Sequence, residues 1–218
     1  MTCPICNLRK EKRFCPAVHG RICAQCCGEQ REVTLDCPSE CTYLQQARAY
    51  EKPRDLNEFD KAAFFPQIEI DEQFLHEREH LLLGLTFALA KSARTNRSLQ
   101  DRDLIAALAS LARSYETRVN SNLIYGEPTA NLEHQAIALQ IEELVKEFRA
   151  AEQEHTGGSR LRDSEVLKAI VFLLRLGLSR TSGRLKSRAF VDFLFSQFPE
   201  NKSALASADE ASGRIIVP

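Results

Sequence analysis

From about Asp71 to Phe198 the apolar residues recur at helical spacing, and this stretch predicts five helices. The first, about Asp71–Arg94, is apolar on most sides over Leu81–Leu89. Ser98 followed by Asp101 reads as a capping-box start for the second, whose stripe is Leu104, Leu108, Leu111, Tyr115 and Val119, stopped by Gly126-Glu127-Pro128. The third carries Leu132, Ala136, Leu139, Ile141, Leu144 and Phe148, and ends at Thr156-Gly157-Gly158-Ser159. Asp163 or Ser164 caps a fourth, apolar nearly all round from Val166 to Leu174 and closed by Gly177. Arg184–Phe198 makes the fifth, before Pro199. Helices apolar on every side belong at the centre of a core, which places the first and fourth in the middle of the bundle.

The flanks have different character. Residues 1–50 hold few large apolar side chains, and so small a core needs a staple. Residues 51–72 carry seven acidic against three basic residues, with the aromatic group Phe59, Phe64 and Phe65. That composition predicts a linker docked on the bundle. Gln67–Ile70 alternates in the manner of a short strand. Residues 199–218 are polar until Arg214-Ile-Ile-Val-Pro218, which could pair with it as a terminal strand. The expected segments are therefore 1–50, 51–72, 73–198 and 199–218.

Composition changes this picture in one respect. The 218 residues include eight cysteines, all between Cys3 and Cys41, no tryptophan and a formal net charge of −1. That balance excludes a polybasic nucleic-acid arm and a strongly acidic disordered chain. The basic loop Arg9, Lys10, Lys12 and Arg13 stands where a signal peptide needs an apolar core. Leu81–Ala90 is about half of the roughly 20 residues that a membrane span requires. A cytoplasmic chain with no membrane partner is the simplest expectation. There thiols stay reduced and a cysteine cluster reads as a metal framework.

Cys3-Pro-Ile-Cys6 and Cys23-Ala-Gln-Cys26 are two C-x-x-C knuckles, the spacing of a four-cysteine zinc site. A tight two-residue turn lets both thiolates of a knuckle reach one ion, and the second knuckle closes the tetrahedron. Cys15, Cys27, Cys37 and Cys41 remain for a second site, interleaved with the first, with His19 as an alternate ligand. Two structural Zn2+ ions are expected. Read through the pairs Cys3/Cys6, Cys15/His19, Cys23 with Cys26 or Cys27, and Cys37/Cys41, residues 3–41 resemble the compact cross-brace zinc fingers of the HIT and MYND types. They depart from those families in the spacing of the second pair, the long gap before the fourth and the missing final histidine. The resemblance implies a protein-interaction module. The fold class is then mainly α: a small two-zinc cross-brace module followed by a five-helix bundle.

Other motifs weigh less. His76-Glu-Arg-Glu-His80 has zincin spacing, but true zincin helices resemble it with uncharged residues where Arg78 and Glu79 stand. Glu77-x-x-His80 and Glu152-x-x-His155, with Glu116 and Glu165, have the ligand types of a di-iron bundle, in permuted order and with one pair at a polar helix end. Arg175, Arg180, Arg184, Lys186 and Arg188 crowd one inter-helix turn and could contact an anion or a partner; a solvated turn, or pairing with the acidic 51–72 segment, is the plainer reading. The expected function is a non-enzymatic zinc-binding interaction or scaffold protein with an unidentified protein partner. The alternatives are a nucleic-acid-binding protein using the finger and the basic turn, and a metalloenzyme of the helical domain.

Overall fold

The computed structural model describes residues 1–121, 131–156 and 161–199. The chain is mainly α. A hairpin of β1 (Arg13–Cys15) and β2 (Gly20–Ile22) pairs Phe14 with Arg21, and α1 (Ala24–Gln30) and α2 (Thr42–Tyr50) complete the N-terminal module. Its small core is Cys3, Cys15, Ile22, Cys23, Cys26, Cys27 and Leu35. α3 (Lys61–Phe64) and α4 (Glu72–Glu77) follow, each started by an aspartate: Asp60 accepts from the N–H of Ala62 at 3.0 Å and Asp71 from that of Phe74 at 2.7 Å. The main helices are α5 (Glu79–Thr95), α6 (Asp101–Ser121), α7 (Leu132–Thr156), α8 (Asp163–Arg180) and α9 (Ala189–Gln197). Among the described residues no helix is long and apolar enough to cross a membrane.

Two of the expected helices change shape. The first breaks at Arg78, which leaves helical geometry at φ −114° and ψ 23°. There its guanidinium binds Glu165 at 2.7 Å and Glu152 at 3.0 Å, and the ion pairs fix the bend between α4 and α5. The fifth helix starts at Ala189 rather than Arg184, because residues 184–188 use their backbone groups on other partners: Lys186 N–H donates to Glu32 O, and Ser187 O accepts from Asp101 N–H. Helix starts also move. The Asp103 carboxylate accepts from Gln100 N–H at the head of α6, while Ser98 bonds Asn96 instead. Arg162, whose N–H donates to Glu165, precedes α8.

α6 and α8 form the centre: the fourth expected helix is central as expected, but its partner there is the second expected helix and not the first. Ala107 and Ala112 on α6 let Leu104, Leu108 and Leu111 close on Val166, Ile170, Leu173 and Leu174 of α8. α5 shows Leu83 and Phe87 to solvent, so its apolar run covers only one side of the core. Gly177 does not end α8, which runs on to Arg180. A Cβ there would lie 3.1 Å from both Ile105 and Phe190, so the glycine is what lets α6 and α9 pack against α8 together. Phe64 and Phe65 are buried in this core, with Phe59 packed against it. Gln67–Ile70 is no strand; it ends a turn in which Ile68 N–H donates to Phe65 O. Its suggested partner strand 214–218, and the expected stops at 126–128 and 157–159, lie outside the described residues.

One buried charge joins α9 to the core. Asp101, 1% exposed, accepts from Ser187 Oγ at 2.6 Å and from the N–H groups of Phe190 and Val191 at 3.0 and 3.1 Å. It caps the N-terminus of α9 from another helix. Asp101→Ala should therefore cost about 2–3 kcal/mol of stability in urea unfolding. Burial raises the Asp101 carboxyl above its ordinary range, against the lowering effect of Ser187 and the two N–H groups. The native state thus keeps this proton to higher pH than the unfolded chain, and the side chain's contribution declines as pH rises through that window. The deficit of Asp101→Ala should be larger near about pH 3.5 than near about pH 7; equal deficits would contradict the raised carboxyl.

Candidate metal centre

The first knuckle owes its turn to Asn7, which takes the left-handed conformation at φ 54°. Its N–H donates to Cys3 O, while Cys3 N–H donates to Arg9 O, both at 2.8 Å. The second knuckle is a helix start: the Cys23 sulfur caps α1 by accepting from Cys26 N–H at 3.3 Å. The loop and the helix end bring Cys3, Cys6, Cys23 and Cys26 together, with all four ligand atoms within 4.8 Å of one another. The sulfurs of Cys6 and Cys23 are 4.0 Å apart. That is too far for a disulfide, at about 2.05 Å, and close to the roughly 3.8 Å edge of a tetrahedron with 2.3 Å zinc–sulfur bonds.

The electrostatics fit a cation. Backbone N–H groups of Leu8 and Arg9 hold the Cys6 thiol down, to about 6. Burial works to raise Cys3, but N–H groups of Cys23, Cys6 and Ile5 outweigh it and lower the thiol. Cys26 is pushed up to about 12 by burial and then by the neighbouring Cys23, Cys6 and Cys3. Four sulfurs this close cannot all ionise without a positive charge among them, and that charge is what a zinc ion supplies. This four-cysteine cluster suggests a zinc-binding site near the N-terminus. Four protein ligands leave no open position for substrate or water, so its role would be structural.

A second site of the expected kind is not seen. Among the described residues no three of Cys15, Cys27, Cys37 and Cys41 bring their sulfurs within ligand distance. Burial raises the Cys37 thiol, the N–H of Glu32 lowers it, and Cys15 and Cys41 add to the rise, so those two thiols are its electrostatic neighbours. His19 sits exposed at the hairpin tip, in the left-handed conformation at φ 49°.

The basic cluster is engaged within the chain. Arg184 donates to the carbonyls of Gly28 at 3.0 Å and Arg31 at 2.7 Å. Lys186 Nζ donates to Thr34 O at 3.0 Å, and Arg188 to the carbonyls of Arg97 and Leu99. Arg175 binds the carbonyls of Phe64, Phe65 and Ile68, inside the acidic segment but on its backbone rather than its carboxylates. Arg180 stacks over Phe193 at 4.4 Å. The helical metal motifs do not assemble either. His76 and His80 are exposed on opposite sides of the Arg78 break, Glu152 and Glu165 bind Arg78, and Glu116 accepts from Gln67. The side chain of His155 lies outside the described residues.

What sequence reasoning missed is the buried acid that ties module to bundle. Glu32 is 1% exposed. Its carboxylate accepts from Arg48 Nη2 at 2.7 Å and Ser182 Oγ at 3.1 Å, and its carbonyl accepts from Lys186 N–H at 2.7 Å. Arg48 reaches on to Asp192 of α9. No spacing rule marks Glu32, because its partners lie on α2 and on the turn after α8.

Comparison with known protein families, curated proteins and solved structures finds no match for this chain.

Two outcomes follow from this geometry. A strong chelator should unfold the module and expose its thiols to a thiol reagent, while helical circular dichroism falls by no more than the share of α1 and α2, 7 and 9 residues. Collapse of the remaining helicity would show that the bundle depends on the metal. Glu32→Ala, which leaves Arg48 short of one carboxylate partner, should cost about 3 kcal/mol in chemical unfolding.

Proposed function

We propose that the chain is a non-enzymatic interaction protein whose N-terminal module is folded by zinc and presents an apolar surface to a protein partner. One observation carries this reading. The module exposes several large apolar side chains, Leu8 at 81% and Phe14 at 58%, with Ile5 and Val18 more than a third exposed. Apolar side chains exposed on a stapled scaffold are a common basis of partner recognition. The basic residues Arg9, Lys10, Lys12 and Arg13 lie in the same stretch of sequence and could provide a polar rim.

The proposal includes a second structural zinc, held by Cys15, Cys27, Cys37 and Cys41 or with His19 replacing one thiolate. The nearness of Cys15 and Cys41 to Cys37 supports it. Metal analysis of the purified chain should give two zinc ions, falling to one in Cys37→Ser; one ion in both would limit the module to the Cys3, Cys6, Cys23 and Cys26 site. The nucleic-acid alternative drew on the cations of the 175–188 turn. Those side chains have partners within the chain, so no observation favours it over protein contact.

The test is a pull-down with the wild-type chain, Cys3→Ser and Leu8→Ser/Phe14→Ser. Both variants should lose the specific partner, and the double variant should lose it while keeping its zinc. Retention of the same partner by the zinc-loaded double variant would place recognition elsewhere.

A further inference from the structure

Residues 1–22 carry five cations, Arg9, Lys10, Lys12, Arg13 and Arg21, and the fold of the module uses two of them. Arg9 turns to the sulfurs of Cys6 and Cys23. Arg13 lies over the Tyr43 ring at 4.6 Å. Lys10, Lys12 and Arg21 have no carboxylate partner among the described residues.

These three share one face of the hairpin. Exposure alternates along the chain: Lys10, Lys12 and Phe14 are exposed, while Glu11 and Arg13 between them are half-buried. An extended chain sends successive side chains to opposite sides, so Lys10, Lys12 and Phe14 stand on the outer side. Glu11, the one acid in residues 1–28, takes the other. The bridge of Thr2 with Lys10 holds the chain extended at that end. Arg21 joins from β2, directly across from Phe14 in the register and also exposed. Its guanidinium donates to the Lys12 carbonyl at 3.0 Å, which keeps the two charges together.

The outer face is thus an aromatic ring, 58% exposed, with Lys12 and Arg21 beside it and Lys10 beyond. Like charges on one sheet face repel, and among the described residues no carboxylate offsets them. A segment carrying an apolar side chain between carboxylates would cover the ring and match the cations at once. Resting on the reading that the module meets a protein partner, we infer that this face binds an acidic peptide segment, its apolar residue on Phe14 and its carboxylates on Lys12, Arg21 and Lys10. Single-stranded nucleic acid fits less well. Stacking platforms offer aromatics to successive bases, and Phe14 is the only Phe, Tyr or Trp before Tyr43.

The test is fluorescence anisotropy with the full chain and two labelled peptides of about ten residues, one of Asp and Glu around a central Leu, the other with Asn and Gln in their place. The acidic peptide should bind about tenfold more tightly at low salt, and the difference should shrink as salt rises toward about 0.5 M. Lys12→Gln/Arg21→Gln should weaken it about tenfold and flatten the salt dependence. Phe14→Ser should weaken it by a similar factor and leave the salt dependence in place. All three positions are exposed, so helical circular dichroism should not change. No saturable binding, equal binding of both peptides, or an affinity that Lys12→Gln/Arg21→Gln leaves unchanged would overturn the proposal. Tighter binding of an oligothymidylate of about 15 nucleotides would do the same. A partner lost in Leu8→Ser/Phe14→Ser yet retained by Lys12→Gln/Arg21→Gln would sink the acidic peptide alone and leave partner binding through the apolar residues standing.

Discussion

The buried carboxylate of Glu32 is the interaction on which the joining of the two parts rests. A charge removed from water must be matched by charge and hydrogen bonds, or it destabilises the fold by several kcal/mol. Glu32 is matched by Arg48, Ser182 and the N–H of Arg188 on its side chain, by Lys186 on its carbonyl, and by a backbone contact with the Cys37 thiol. Those partners come from the cysteine module, from α2 and from the turn that follows α8. Glu32 also takes the left-handed conformation, φ 53°, which turns the chain out of α1 toward Cys37. The position is thus constrained through both backbone and side chain. Arg48 extends the same network to Asp192, and Asp192 accepts from Ser39, so a chain of polar contacts runs from the module into α9.

Much of the architecture was legible because it depends on period and spacing. The five helical stretches, the docking of Phe64 and Phe65, and the grouping of Cys3, Cys6, Cys23 and Cys26 all follow local rules that a sequence displays. The errors share a different origin. α5 looked central because Leu81–Leu89 is apolar, yet a helix can expose Leu83 and Phe87 when its neighbours cover only one side. α6, with less apolar character overall, took the centre because alanines at 107 and 112 allow close approach. Helix boundaries moved wherever a distant side chain competed for the backbone, at Arg78 and at residues 184–188. Tertiary contacts decided those positions, and no single stretch of sequence contains them.

The basic residues after residue 170 teach the same lesson in terms of acceptors. Arg175 binds the carbonyls at the end of α3, Arg184 binds Gly28 O in the last turn of α1 together with Arg31 O, and Arg188 binds the carbonyls of Arg97 and Leu99 just before α6. The last four carbonyls of any helix lack partners within it, and a short helix has few others. A guanidinium supplied from another element satisfies two at once and places positive charge at the negative end of the dipole. Backbone carbonyls carry no mark in a sequence. The five cations between residues 175 and 188 therefore read as a surface for an external anion. Instead Arg175 and Arg184 meet carbonyls at helix ends, Lys186 and Arg188 meet loop carbonyls and Arg180 meets the Phe193 ring of the same chain.

This arrangement gives the module two supports with different chemistry. Its apolar core is small, and four converging thiols need a cation before they can all be ionised, so inside the module a metal ion would be the ordering element. Outside, Arg184, Lys186, Glu32 and Arg48 attach the same residues to a bundle with its own continuous core. The two supports meet between Gly28 and Cys37, where the carbonyls that accept from Arg184 and Lys186 sit within a few residues of Cys27 and Cys37. Ordering that segment from either side reduces the entropy the other must overcome, so metal retention and docking reinforce each other by linkage. A finger built this way is an extension of the bundle rather than a bead on a tether, and it holds its exposed Leu8 and Phe14 at a fixed place on the larger surface.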